Sequence, residues 1–272
     1  PGRAFSRFER RKFTPDKTLP IGMVRRVVIG IVAASTLLIW KSDFLHTFTT
    51  GNQTYVPINA GPVLSDAATA MSQLKTVSLK FEGTAVGQSG ASYTITGTGT
   101  LTYPHDEDLQ MQFSFPPPAA TSDGPIIIPI NERIKAGHVY IQINGGKWQD
   151  VTSTSRGDIP AGMDPISNLG FASAFRSYDD LGDMGFAGTA VHHFTLSVDD
   201  GKYLELLKAD KSNVLSASDE AMLHTAGITC NVWIGVSDHY VYQMEVHMST
   251  SQVRWDVTYT YSNFVKGGAT TA

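Results

Sequence analysis

Three stretches decide the fold: VSLKFE at residues 77–82, YTITGTGTLTY at 93–103 and LQMQFSF at 109–115. In the first, Val77, Leu79 and Phe81 alternate with Ser78, Lys80 and Glu82. In the second, Tyr93, Ile95, Leu101 and Tyr103 alternate with threonines from Thr94 to Thr102, and Gly97 and Gly99 stand in the apolar phase. In the third, Leu109, Met111, Phe113 and Phe115 alternate with Gln110, Gln112 and Ser114. A period of two sends successive side chains to opposite faces, which predicts antiparallel strands with one buried and one wet face. The two glycines predict a bend, or the close approach of something packed on the concave side.

Working outward, 126–134 reads as an irregular strand, and Val139, Ile141 and Ile143 form another that closes through Asn144-Gly145-Gly146-Lys147 into Trp148. His192, Phe194, Leu196 and Val198 make a further strand. Three more cover 228–236, 240–248 and 253–264, the first two joined by a turn at Ser237-Asp238. Helical spacing appears at 62–74, with Val63, Ala67, Ala70, Met71 and Leu74 on one stripe. It appears again at 165–178, where Ile166, Leu169, Phe171, Ala174, Phe175 and Tyr178 give an apolar side. Short helices are predicted at 200–210, carrying Tyr203, Leu204 and Leu207, and at 218–223, with Ser218 as N-cap. Strands dominate and helices are grouped rather than alternating. That predicts an α+β fold on an antiparallel sheet.

Composition agrees. The 272 residues are 42% hydrophobic and only 17% charged, which allows a sizeable core and leaves little charge for surface helices. The net charge of −4 hides an asymmetry: eight basic residues in the first 26, against Glu9 and Asp16, make a head of +6 on a body of −10. The acidic body argues against a nucleic-acid partner. The single cysteine, Cys230, allows no internal disulfide and falls on the apolar phase of its strand, as a buried thiol would.

Residues 27–40, VVIGIVAASTLLIW, carry no charge and follow Arg25-Arg26. A helix crossing about 30 Å of hydrocarbon wants roughly 20 residues; snorkelling of Arg25 and Arg26, or extension to Phe44-Leu45, lengthens the span. Val27, Ile31, Leu38 and Trp40 would meet lipid, with the basic side in the cytoplasm. The alternative is a cleaved signal peptide, but no small-x-small site follows the apolar run and no lipobox cysteine is present. Either way the body is expected outside the cytoplasm. The expected organisation is therefore a basic cytoplasmic segment (1–26), a single-pass cytoplasmic-membrane anchor (27–48), a linker (49–61), a periplasmic or extracytoplasmic domain (62–266) and a tail (267–272).

Catalytic signatures are missing from the sequence: no Gly-x-Ser-x-Gly, phosphate loop, dinucleotide fingerprint or His-Glu-x-x-His occurs. His192 and His193 are adjacent on a strand, so His192 points inward and His193 to water, and they cannot chelate one ion together. Asp179, Asp180 and Asp183 lack the spacing of a calcium loop and read as a solvated helix end. His239 and His247 read as outer-face residues beside Glu245. No enzyme activity, metal or cofactor is expected. Phe81, Phe113, Phe115, Phe171, Phe175, Leu204, Leu207, Trp255 and Tyr259 carry more apolar surface than a single-layer sheet hides easily. Periodicity does not separate a filled core from a lined cavity.

Several motifs occur in a familiar order. Leu74-Lys75-Thr76-Val77-Ser78-Leu79 ends the opening helix. Gly137-His138-Val139-Tyr140-Ile141 is followed by Lys147-Trp148-Gln149-Asp150-Val151. Later come Asn231-Val232-Trp233-Ile234-Gly235-Val236 and Val257-Thr258-Tyr259-Thr260-Tyr261-Ser262-Asn263-Phe264. From Pro62 onward the chain resembles the LppX/LprA/LprF/LprG family of exported bacterial lipoproteins and, more distantly, LolA/LolB and RseB-like domains. The resemblance implies a curved antiparallel half-barrel wrapped around a few helices, with an apolar cavity for lipids or glycolipids. It would place Phe81, Phe113, Ile141, Phe171, Phe175 and Phe194 in the cavity lining, and Leu204, Leu207 and Trp255 belong to the same apolar surface. One departure stands out: a basic head and apolar helix replace the family's acylated cysteine. The expected function is binding of a lipid or isoprenoid-like tail without catalysis. The alternative is an accessory subunit of a membrane-protein complex that uses the fold as an interaction module. Gly30, Ala33 and Ala34 would allow close helix packing in that case.

Overall fold

The computed structural model describes residues 58–87, 90, 92–103, 106–117, 124–136, 138–151, 174–209, 217–251 and 253–267. The segments expected over 1–57 and after 267 lie outside the described residues, as do 165–173. Among the described residues no helix is long and apolar enough to cross a membrane.

Eleven strands form one open sheet: β1 (Leu74–Gly87), β2 (Ser92–Thr102), β3 (Asp106–Phe115), β4 (Ile126–Lys135), β5 (His138–Ile143), β6 (Gln149–Asp150), β7 (Phe175–Phe186), β8 (Thr189–Val198), β9 (Gly227–Gly235), β10 (Val241–Ser249) and β11 (Val253–Lys266). The order across it is β6-β5-β4-β3-β2-β1-β11-β10-β9-β8-β7, and each neighbouring pair is antiparallel. The chain starts at the centre, walks out to one edge, and re-enters from the other edge to finish beside its first strand. This open antiparallel sheet with helices on its apolar face fits the expected curved half-barrel.

The alternation that predicted β1–β3 holds in the register. Phe81 lies between Gly97 of β2 and Tyr259 of β11, and all three share the inner face. The close approach anticipated at Gly97 is the Phe81 ring itself: a Cβ on Gly97 would stand 2.2 Å from it. Asn144 and Gly145, both at positive φ, form the tight turn after β5, with Gly146 N–H donating to the Ile143 carbonyl at 2.9 Å.

Three helices are described: α1 (Ala60–Ser72), α2 (Asp200–Ala209) and α3 (Ala217–Leu223). Asn59 caps α1 by accepting from the Gly61 N–H at 3.0 Å. Ala60, Leu64, Ala67 and Met71 are its buried residues, an i, i+4, i+7, i+11 stripe that joins the sheet's apolar cluster. The Asp199 carboxylate caps α2 by accepting from the Lys202 N–H at 3.0 Å. That backbone bond, with Arg176 nearby, holds Asp199 below its ordinary carboxyl range. Tyr203 and Leu204 of α2 and Leu223 of α3 complete the core.

The helix expected at 165–178 is corrected: from Phe175 onward the chain is β7, an edge strand. Two register shifts along β7, between Phe175 and Ser177 and between Asp180 and Gly182, are the cause. They place Phe175, Tyr178, Asp180 and Asp183 opposite the inward residues of β8, at spacings of three, two and three. Bulges therefore stretch a period of two until it imitates a helix. The acidic trio is accordingly on a strand, not at a helix end.

Candidate functional site

The inner face of the sheet is the candidate site, and its two wings differ. Over β8–β11 the inward side chains are sealed: Phe194, Leu196, Cys230, Val232, Met244, Met248, Trp255 and Tyr259 are all fully buried. The reason lies in α1. The Ile58 N–H, just before the helix, donates to the Asp180 carboxylate of β7 at 2.5 Å, and the helix runs directly into β1. Thirteen residues at 1.5 Å each give a rod of about 20 Å. Five strand spacings from β7 to β1 make about 24 Å. The helix is thus a chord across this wing.

Over β3–β6 the apolar wall is only partly covered. Leu109, Met111, Phe113, Ile130 and Val139 are buried, whereas Phe115, Ile128, Ile141 and Ile143 are half-buried. At the end of the wing Ile126 is 48% exposed and Ile127 50% exposed. Tyr93 bridges the wings, stacked on Phe115 with centroids 5.8 Å apart and edge-on to Trp255 at 5.3 Å. Burial pushes its phenol up to about 12. The Trp255 indole N–H is buried without a hydrogen-bond partner.

The residues expected to line a cavity therefore fall into groups. Phe81, Phe113, Phe194, Leu204 and Trp255 are buried in the continuous core. Ile141 and Phe175 are half-buried at its margins. Phe171, and the side chain of Leu207, lie outside what is described. Sequence reasoning passed over Ile128, Ile143 and Glu132. Glu132 lies between Leu109 and Ile141 on the inner face and is only 7% exposed. The signal was in the alternation of Ile128, Ile130, Glu132 and Ile134.

Two histidine expectations need correction. His193 does not point to open water: it stacks on Trp233 with centroids 4.2 Å apart, and its Nε2 is buried without a partner. Burial pulls its pKa down, against the opposing field of Glu245. His239 is not in line with His247; it occupies the β9–β10 turn at positive φ, while His247 sits on β10 2.9 Å from Asp256. His192 does face inward and pairs with Asp183.

The outer face offers a different surface: a polar depression of about 750 Å³ lined by Ser78, Lys80, Thr98, Thr100 and the Asp108–Arg133 ion pair. Cys230 is buried, and burial drives its thiol far up from the ordinary range, so it is no nucleophile. Among the described residues no group of three or more His, Cys, Asp or Glu could hold a metal ion.

No family model matches the sequence, and a search of curated proteins finds no match. In structure the chain is similar to LprF from Mycobacterium bovis, with 10% sequence identity, a TM-score of 0.46, and coverage of 79% of this chain and 97% of that one. It is similar to lipoprotein LppX from Mycobacterium tuberculosis, at 11% identity and a TM-score of 0.43, covering 77% of this chain and 98% of that one. A LolA superfamily protein from Nitrosomonas europaea aligns at 10% identity and a TM-score of 0.31, covering 78% of this chain and 94% of that one. Each likeness is one of fold.

Proposed function

We propose that this chain is a non-enzymatic, membrane-anchored extracytoplasmic domain that holds a lipid or another apolar tail against the inner face of its sheet. One observation carries the proposal: the inner wall of β3–β6 stays half-open along Phe115, Ile128, Ile141 and Ile143, and continues without a break into a sealed core. An acyl chain laid on such a wall gains about 0.8 kcal/mol per buried CH₂. Phe81 and Phe113 adjoin that wall, Phe194 and Trp255 belong to the sealed core into which it runs, and Ile141 and Phe175 stand at the margins. The anchor role belongs to Arg25, Arg26 and the apolar run from Val27 through Ile31 and Leu38 to Trp40.

Organic extraction of the purified full-length chain, followed by mass spectrometry, tests the proposal. Stoichiometric lipid is expected from the native sequence, and much less from Ile141→Glu. A lipid-free, fully stable native protein would overturn it.

A second reading, an accessory subunit of a membrane complex, has its own support. The edge strand β7 is 12 residues long, and its Leu181 and Met184 are 56% and 45% exposed. Long open edges are templates for strand addition. Mild detergent should then co-purify fixed partners with the full chain, and a lone monomer would count against this reading.

A further inference from the structure

One row of side chains crosses the inner face from the open wing to the sealed one. Ile126 of β4 pairs with Phe115 of β3, and Phe115 stacks on Tyr93 of β2. Tyr93 pairs with Ala85 of β1, which pairs in turn with Trp255 of β11. Burial deepens along the row: Ile126 is 48% exposed, Phe115 and Tyr93 are half-buried, and Ala85 and Trp255 are fully buried. Tyr93 and Trp255 stand on strands two spacings apart, about 9.6 Å, yet their ring centroids are separated by 5.3 Å. The rings therefore lean together over the Ala85 methyl, the smallest side chain in the row.

At the deep end of this row is the Trp255 indole N–H, buried and, among the described residues, without an acceptor. An indole nitrogen donates and does not accept, so its partner must be an incoming acceptor. A buried donor left unpaired is destabilising, and an acceptor that reaches it recovers the loss. The row carries no charge, and the Tyr93 phenol, pushed up to about 12 by burial, stays neutral. An ion drawn in here would lose its hydration without gaining a counter-charge. The acceptor that fits is a neutral oxygen borne on an apolar chain, such as an ester carbonyl. A bare hydrocarbon tail has none to offer.

We propose that Trp255 is the specificity-determining donor of the site, and that Tyr93 is the side chain that moves to admit a neutral oxygen to it. The apolar chain of the ligand lies along Phe115 and Ile126 toward the open wing. Tyr93 swings off Ala85, and the ligand's oxygen takes its place against the Trp255 N–H. This assignment rests on the lipid-binding reading and deepens it, because it separates tails that carry an oxygen near the core from tails that do not.

Indole N–H resonances of the full-length chain in amphipol, freed of bound lipid, test the assignment. The Trp255 signal is identified by its cross-peaks to the Tyr93 ring and by its loss in Trp255→Phe, which keeps an aromatic ring and drops the donor. In the native chain that proton should start at an unbonded position and move downfield when methyl palmitate is delivered from cyclodextrin. Octadecane, its hydrocarbon match in length, should leave it in place. The ratio of ester to alkane affinity should fall about tenfold in Trp255→Phe. Should that variant not fold, the native indole shift decides. Tyr93→Ala, which clears the ring above Ala85, should speed entry of both probes severalfold.

An indole proton already bonded before lipid is added, a proton unmoved by bound ester, or one affinity ratio in both chains would overturn the donor role and leave the lipid reading standing. Entry into Tyr93→Ala at the native rate would overturn the part given to Tyr93. If neither probe binds the native chain and its organic extract carries no lipid, the lipid reading falls and the assignment falls with it.

Discussion

The two wings of the sheet are made of the same material and end in different states. On β8–β11, alternation places Phe194, Val232, Met244 and Tyr259 in one row, all fully buried. On β3–β5, the same row continues through Met111 and Ile130 to Ile143, and burial fades along it. Strand composition does not explain the contrast, since isoleucine is as apolar as valine. Among the described residues the helices do: α1 leaves from β7 and ends at β1, and α2 and α3 connect β8 to β9, so all three belong to one side. Hydrophobicity decides which face is greasy, and connectivity decides which part of that face is sealed.

The contrast is breakable by mutation. Trp255→Ala in the sealed wing removes a fully buried indole, and should cost about 3–5 kcal/mol in urea unfolding. Gly97→Val strikes the middle of β2, where the Phe81 ring leaves no room for a Cβ. It should cost about 1–3 kcal/mol from overpacking, with the Phe81 contact to Tyr259, now at 6.2 Å, displaced. Ile141→Ala in the open wing should cost less, about 1–2 kcal/mol, because the side chain is only half-buried. A cost equal to that of Trp255→Ala would mean that the wings are sealed alike. Smallest of all, Asp180→Ala removes the acceptor of the Ile58 N–H, and should cost about 1 kcal/mol, with exchange increasing at the first turn of α1.

Much of this was legible from residues alone. VSLKFE, YTITGTGTLTY and LQMQFSF gave their strands and faces, because one wet and one greasy side leave a clean alternation. The helix at 60–72 showed its stripe, though Leu64 was passed over in favour of Val63. What could not be read was β7, because two bulges turned its spacing into a helical one. Nor was Glu132 picked out as inward, since a charged residue in an otherwise regular phase reads as a break in the strand. His193 was misplaced for a different reason: alternation tells which face a side chain takes, not that Trp233 waits there to cover it. Which inner residues are sealed and which half-open was beyond reach as well, because that depends on where helices cross, a fact about three dimensions with no local signature.

The central pair of the sheet joins β1 to β11, from Leu79 against Tyr261 to Ala85 against Trp255. Of the described strands, the first to be made therefore waits for the last. Until then six strands have a meander but no neighbour on their inner edge, and loop closure across most of the chain must precede the contact that rewards it. Such a molecule should fold slowly and late, and its half-made form should be the species that chaperones hold and that aggregates when they do not.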